Sequence, residues 1–135
     1  MPRKSHISEA LVSLIKGGGR HAWTLEDLHE ELVRQGRPTD FSSVFRAAEK
    51  LAADGVVRKL LLEDGRARFE TASAHHDHLY CLSCHTLVPV PCVIDHDDFA
   101  ALERETGVSI HGHNLILNGL CPECRPAAEP TRRPA

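Results

Sequence analysis

The chain has 135 residues, 41% of them hydrophobic, with a formal net charge of -3, five cysteines and ten histidines. This length suits one domain or two small ones; no apolar run approaches the roughly 18 residues that would span a bilayer, and MPRKSHISEA lacks the apolar core of a signal peptide, so a cytoplasmic protein without a membrane partner is expected. In a reducing compartment an odd set of cysteines, Cys81, Cys84, Cys92, Cys121 and Cys124, fits metal ligation better than a disulfide framework.

The negative charge argues against a dedicated nucleic-acid binder, whose pI often exceeds about 9, but it is unevenly spread. Residues 1 to 70 carry 12 Lys plus Arg against 11 Asp plus Glu, and residues 71 to 135 carry 4 against 8. The acidic half also holds the clustered histidines, as suits divalent cations, while the near-neutral half can still present a basic face.

Ile7, Ala10, Leu11, Leu14 and Ile15 recur at helical spacing, and Gly17, Gly18 and Gly19 end that stripe. Thr24 opens TLED, a capping-box-like start for a second helix through Leu25, Leu28, Leu32 and Val33 that stops near Gly36. After Pro38 and Asp40, FSSVFRAAEKLAADG predicts a third helix with Val44, Ala47, Ala48, Leu51 and Ala52 inward and Gly55 as its stop. VVRKLLLEDGRARFET then reads as two strands about Asp64-Gly65, a pair that tolerates positive φ and so favours a hairpin. Three helices and a hairpin make a winged helix-turn-helix over residues 1–71, with a small polar hinge at 72–74.

From Leu79 short strands take over: LYCLSCHTLVPVP as strand, knuckle and strand, Asp98 to Thr106 as a helix ended by Gly107, and VSIHGHNLILNGLC as a strand before the last cysteines. Residues 75–125 therefore form a second, small α/β domain, and the Pro, Ala and Arg-rich tail 126–135 is expected to be disordered. The fold class is α+β.

Cys81-Leu-Ser-Cys84 and Cys121-Pro-Glu-Cys124 are two CxxC pairs separated by 36 residues. Each knuckle lets two thiolates reach one tetrahedral ion at about 2.3 Å, and four such ligands close the sphere, which marks a structural zinc. Cys92 has no partner at knuckle spacing and is expected to be a buried free thiol. His75, His76, Asp77 and His78 precede the first knuckle. If that segment is extended, His76 and His78 face one way and His75 and Asp77 the other, so one tetrapeptide can serve two sites. Imidazoles mixed with carboxylates suit Zn, Fe(II) or Mn rather than Ca or Mg.

The run SVFR before a helix, DG in a wing, then FE, HHDHLYCLSC and GHNLILNGLCPEC resembles the ferric uptake regulator family from about Ser8 to Cys124. The resemblance implies a homodimer joined through its C-terminal halves, in which metal occupancy swings winged helices onto operator DNA. It makes Cys81, Cys84, Cys121 and Cys124 the structural zinc ligands and implies a hinge sensor site of Glu70, His76, His78 and His21, the histidine before the second helix. Pro89 occupies a position where the family often places a further carboxylate. A second site would use His75, Asp77 and His113, with His96 at the position of a helix-borne glutamate. The regulatory ion implied is Fe(2+), Zn(2+) or Mn(2+); the lack of a cysteine near Glu70 favours iron or manganese at the hinge, and His96 leans toward zinc.

On double-stranded DNA the third helix would enter the major groove, with Ser42, Ser43, Phe45, Arg46 and Lys50 at its start or exposed side, and Arg58, Lys59, Arg66 and Arg68 of the wing would add backbone contacts. The competing readings are a zinc-ribbon module or metal buffer that never binds DNA, and a metal-dependent hydrolase. Against catalysis on a small-molecule substrate, HExxH, a nucleophile paired with a base and a glycine-rich phosphate loop are all absent.

Overall fold

In the computed structural model, which describes residues 6–126, the three apolar stripes become helices α1 (His6–Gly17), α2 (Leu25–Arg34) and α3 (Phe41–Ala53). Their inward faces meet: Leu11, Leu14, Ile15, Leu28, Leu32, Val44, Ala48 and Leu51 form one buried cluster with Trp23 and Phe69. Burying each large side chain stabilises this unit by about 1.5–3 kcal/mol before entropy is counted. Thr24 caps α2 with a reciprocal box, its hydroxyl accepting from Asp27 N at 3.0 Å while the Asp27 carboxylate accepts from Thr24 N at 3.1 Å. Asp40 caps α3, accepting from Ser43 N at 3.1 Å.

The wing is a three-stranded antiparallel sheet, ordered β1 (Ala22–Trp23), β3 (Ala67–Thr71), β2 (Val57–Leu61). The hairpin forms about Asp64-Gly65 as expected, but its loop is five residues long, 62–66; Gly65 takes φ 78° and the Asp64 carboxylate accepts from Arg66 N at 2.9 Å. The two-residue strand β1 has no sequence signature of its own and exists through its ladder to β3, Ala22 opposite Glu70 and Trp23 opposite Phe69. Gly18 makes room for it, since a Cβ there would lie 2.3 Å from the Trp23 ring and 2.6 Å from the Leu14 carbonyl oxygen.

The chain divides between Ala74 and His75. In the second unit β5 (Leu87–Val90), β4 (Asp77–Cys81) and β6 (Ile116–Gly119) make a sheet in that order, antiparallel between β4 and β5 and parallel between β4 and β6. A parallel neighbour needs a crossover, and α4 (His96–Thr106) lies within it, capped by Asp95 and ended at Gly107. The long strand expected over residues 108–121 shrinks to Ile116–Gly119, because β4 offers β6 only a four-residue register, His78 to Cys81. The tail expectation, apart from Pro126, falls outside the described residues. Among the described residues no helix is long and apolar enough to cross a membrane.

Candidate metal centres

The parallel register sets Cys81 beside Gly119, and Leu82 N donates to the Gly119 carbonyl at 2.8 Å, so the chain leaving β6 delivers Cys121 to the first knuckle. The four sulfurs of Cys81, Cys84, Cys121 and Cys124 lie within 4.8 Å of one another, and Cys84 and Cys121 are 3.7 Å apart. Four thiolates around zinc at about 2.3 Å would have edges of about 3.8 Å. Backbone N–H groups of Cys121 and Cys84 donate to Cys81 Sγ at 3.4 and 3.5 Å and hold its thiol down to about 6. Cys121 also receives an N–H from Cys124, but burial and the neighbouring thiols outweigh it and push that thiol up to about 12. Sulfurs packed so closely share negative charge poorly without a cation, and the donor set fits zinc.

A second group is built on the other end of β4. The Asp77 side chain is 1% exposed; its carboxylate accepts from Leu115 N at 3.2 Å, and the His113 ring nitrogen Nε2 lies 3.2 Å from Oδ1. Burial favours the neutral acid, yet the Leu115 N–H, His113 and Cys92 hold the carboxyl below its ordinary range. His75 Nε2 is 3.0 Å from His113 Nε2, and Cys92 Sγ is 3.5 Å from the same atom. The gathered donors are thus His75, Asp77, His113 and Cys92. His96 is not among them: the Asp95 cap starts α4 there, and the exposed His96 ring packs against Phe99, which in turn touches His113. Cys92, half-buried in the preceding loop, stands in its place rather than as an isolated thiol.

The residues expected at the hinge occur as one pair in each unit. In the first, β1 carries the chain past β3 so that His21 Nε2 lies 2.7 Å from a carboxylate oxygen of the fully buried Glu70. Arg58, opposite Glu70 in the β2 ladder, reaches its other oxygen at 3.4 Å. Ala22, the next residue, offers no ligand atom. In the second unit the His76 and His78 rings stand edge to face with centroids 4.6 Å apart, and Pro89 lies opposite His78 in the ladder.

On α3, Ser42, Phe45, Arg46 and Lys50 are exposed while Val44, Ala47, Ala48 and Leu51 are buried. The Ser43 hydroxyl is drawn into the helix cap, donating to Asp40 at 2.6 Å. Lys59 is tied to Glu49 of α3 at 2.6 Å. One wing cation departs from expectation: Arg68 is buried, its guanidinium donating to the Asp64 carboxylate at 2.7 Å and to the Arg66 carbonyl at 3.0 Å, which takes it out of reach of a phosphate.

A winged helix followed by a sheet whose ends gather thiols, imidazoles and a buried carboxylate defines a metal-dependent DNA-binding regulator. The profile of the ferric uptake regulator family matches residues 3–118, and the chain belongs to that family, whose members are metal-responsive transcriptional repressors acting as dimers on operator DNA. It is 30% identical over 122 residues to the ferric uptake regulation protein of Escherichia coli (strain K12), covering 85% of this chain and 80% of that protein. It is 34% identical over 104 residues to the zinc uptake regulation protein of Mycobacterium tuberculosis (strain CDC 1551 / Oshkosh), covering 74% and 78%. The Helicobacter pylori ferric uptake regulator, whose structure is described as revealing three functional metal binding sites, has the same fold with a TM-score of 0.78 at 21% identity, over 94% of this chain and 85% of that one.

Proposed function

We propose that this chain is a cytoplasmic, metal-sensing repressor in which His21, Glu70, His76 and His78 hold the regulatory ion. The observation that carries the reading is the fully buried Glu70 carboxylate paired with His21 in the DNA-binding unit. Burying a carboxylate is costly unless it is paired or ligates a metal, and this one sits on the last strand before the chain passes into the second unit. An ion held by that pair and by His76 and His78 would prefer one arrangement of the units over others. Fe(2+), Zn(2+) and Mn(2+) all suit imidazole and carboxylate donors. The cysteines hold a structural zinc, and His75, Asp77 and His113 belong to a further site inside the second unit. DNA contact is assigned to Ser42, Ser43, Phe45, Arg46 and Lys50.

Occupancy changes DNA binding only through differential affinity for the competent arrangement; moving a population from 1:99 to 99:1 takes about 5.5 kcal/mol of it. His76→Ala plus His78→Ala should abolish metal-stimulated operator binding while about one zinc per chain and the dimer persist. Gel-shift titrations with Fe(II), Mn(II) and Zn(II) decide the point. A double variant that responds like the wild type would move the sensor elsewhere.

A further inference from the structure

We infer that Cys92 completes the second site as a thiolate ligand, making it a His75, Asp77, Cys92, His113 centre for a thiophilic borderline ion such as zinc. The inference rests on the reading of His75, Asp77 and His113 as metal ligands and adds what decides the ion. The family resemblance implied His96, at the position of a helix-borne glutamate, as the fourth donor, whereas the fold seats a sulfur with the other three donors.

The spacing of those donors matches the edges of a small tetrahedral sphere. Nitrogen or oxygen at about 2.0–2.1 Å from an ion and sulfur at about 2.3 Å give edges of about 3.3 Å between N or O donors and about 3.6 Å between N and S. The structure has His75 to His113 at 3.0 Å, Asp77 Oδ1 to His113 at 3.2 Å, Cys92 to His113 at 3.5 Å and His75 to Asp77 Oδ1 at 3.7 Å. Both imidazoles present the same ring nitrogen, Nε2, to the common point. The Asp77 carboxylate is held in place by the Leu115 N–H, which donates to Oδ1 at 3.2 Å, as a ligating carboxylate is commonly hydrogen-bonded. The donors come from separate segments: Asp77 from β4, which is held by two neighbouring strands, His75 from just before it, Cys92 from the loop between β5 and α4, and His113 from the chain between α4 and β6. A thiolate changes what such a site selects. Soft sulfur favours zinc and cobalt over manganese and iron, whereas an oxygen-rich sphere at the same place would not discriminate in that way.

Cobalt(II) is the probe, added to the full-length protein with its four-cysteine zinc retained. Cobalt bound by Cys92 gives a thiolate-to-metal charge-transfer band in the near ultraviolet together with the intense visible bands of tetrahedral cobalt. Both should appear in the wild type and in His96→Ala. In Cys92→Ser the charge-transfer band should vanish, with zinc analysis still at about one per chain as the check on folding. Without any substitution, zinc or cobalt should slow alkylation of Cys92, mapped by peptide mass, and manganese should not. A wild type that binds cobalt with no thiolate band, yet loses about one cobalt per chain in His113→Ala, would overturn the role of Cys92 and leave the three-residue reading standing. Cobalt binding unchanged in His75→Ala plus His113→Ala would overturn both.

Discussion

Replacing Glu70 by Gln separates a structural role for this carboxylate from a ligand role. The side chain is fully buried and pairs with His21 at 2.7 Å and Arg58 at 3.4 Å. Glutamine keeps an acceptor oxygen and the volume but removes the charge. Hydrogen bonds to charged groups contribute about 1.5–3 kcal/mol, and His21 and Arg58 are 26% and 32% exposed, so screening places the loss at the low end, about 1.5 kcal/mol. For a unit of this size that lowers the melting temperature by about 6–12 °C. The assay is built into the chain: its one tryptophan, Trp23, is buried in the first unit two residues from His21, so its fluorescence follows unfolding of the DNA-binding unit alone. An ion bound partly by that unit, present at about 100 times its dissociation constant, stabilises it by about 2.7 kcal/mol. Manganese or iron should therefore raise the tryptophan-detected transition of the wild type and leave that of Glu70→Gln unmoved. If the variant melts earlier without metal yet gains the same increment with it, Glu70 is a structural carboxylate and the hinge assignment fails.

Arg46→Ala should weaken operator binding by about 1–3 kcal/mol if its side chain reads a base, with dimerisation unchanged; equal affinity in a gel shift would remove Arg46 from the interface. Cys81→Ser or Cys121→Ser should lose about one zinc per chain and most of the dimer in sedimentation, and a fully zinc-loaded, dimeric variant would refute the knuckle assignment. Gly18→Ala places a methyl group against the Trp23 ring and the Leu14 carbonyl oxygen; because backbone cannot yield as a side-chain tip can, about 1–3 kcal/mol of stability should go. Its fluorescence should shift to the red as Trp23 is displaced, and an unshifted spectrum with unchanged stability would show that β1 does not need that close approach.

What could be read from the chain was whatever depends on local period or fixed spacing. Helical stripes, the Thr24 box, the Asp64-Gly65 turn and the paired knuckles each carry their own signal within a few residues. The alternation of His75 and Asp77 against His76 and His78 follows from the two-residue repeat of an extended segment. What escaped depends on partners distant in sequence. β1 is too short to show a pattern and is created by β3, so the residue that meets Glu70 could not be fixed from spacing alone. Cys92 lies 21 residues from His113 and in an irregular loop, where no period relates it to other ligands. The alternation over residues 108–121 was real, but a strand needs a neighbour as well as a pattern, and β4 supplies one for only part of it.

The second unit explains why metal and a second copy belong to the fold as much as to the function. Helix α4 has no buried residue, and Leu102, Val108, Leu117 and Leu120 are exposed. A unit of this size rarely holds together on its own core and draws on metals or oligomerisation. The ligands are then not additions to a finished scaffold. Strand β4 alone carries one from each proposed centre, Asp77, His78 and Cys81, and a slip of one residue would exchange its two faces. The antiparallel ladder to β5, the parallel ladder to β6 and the bond from Leu115 N to Asp77 all fix the same register. Each ion bound to its own ligand on β4 would stabilise that register, so filling one centre prepares the strand for the others without any direct contact between the ions.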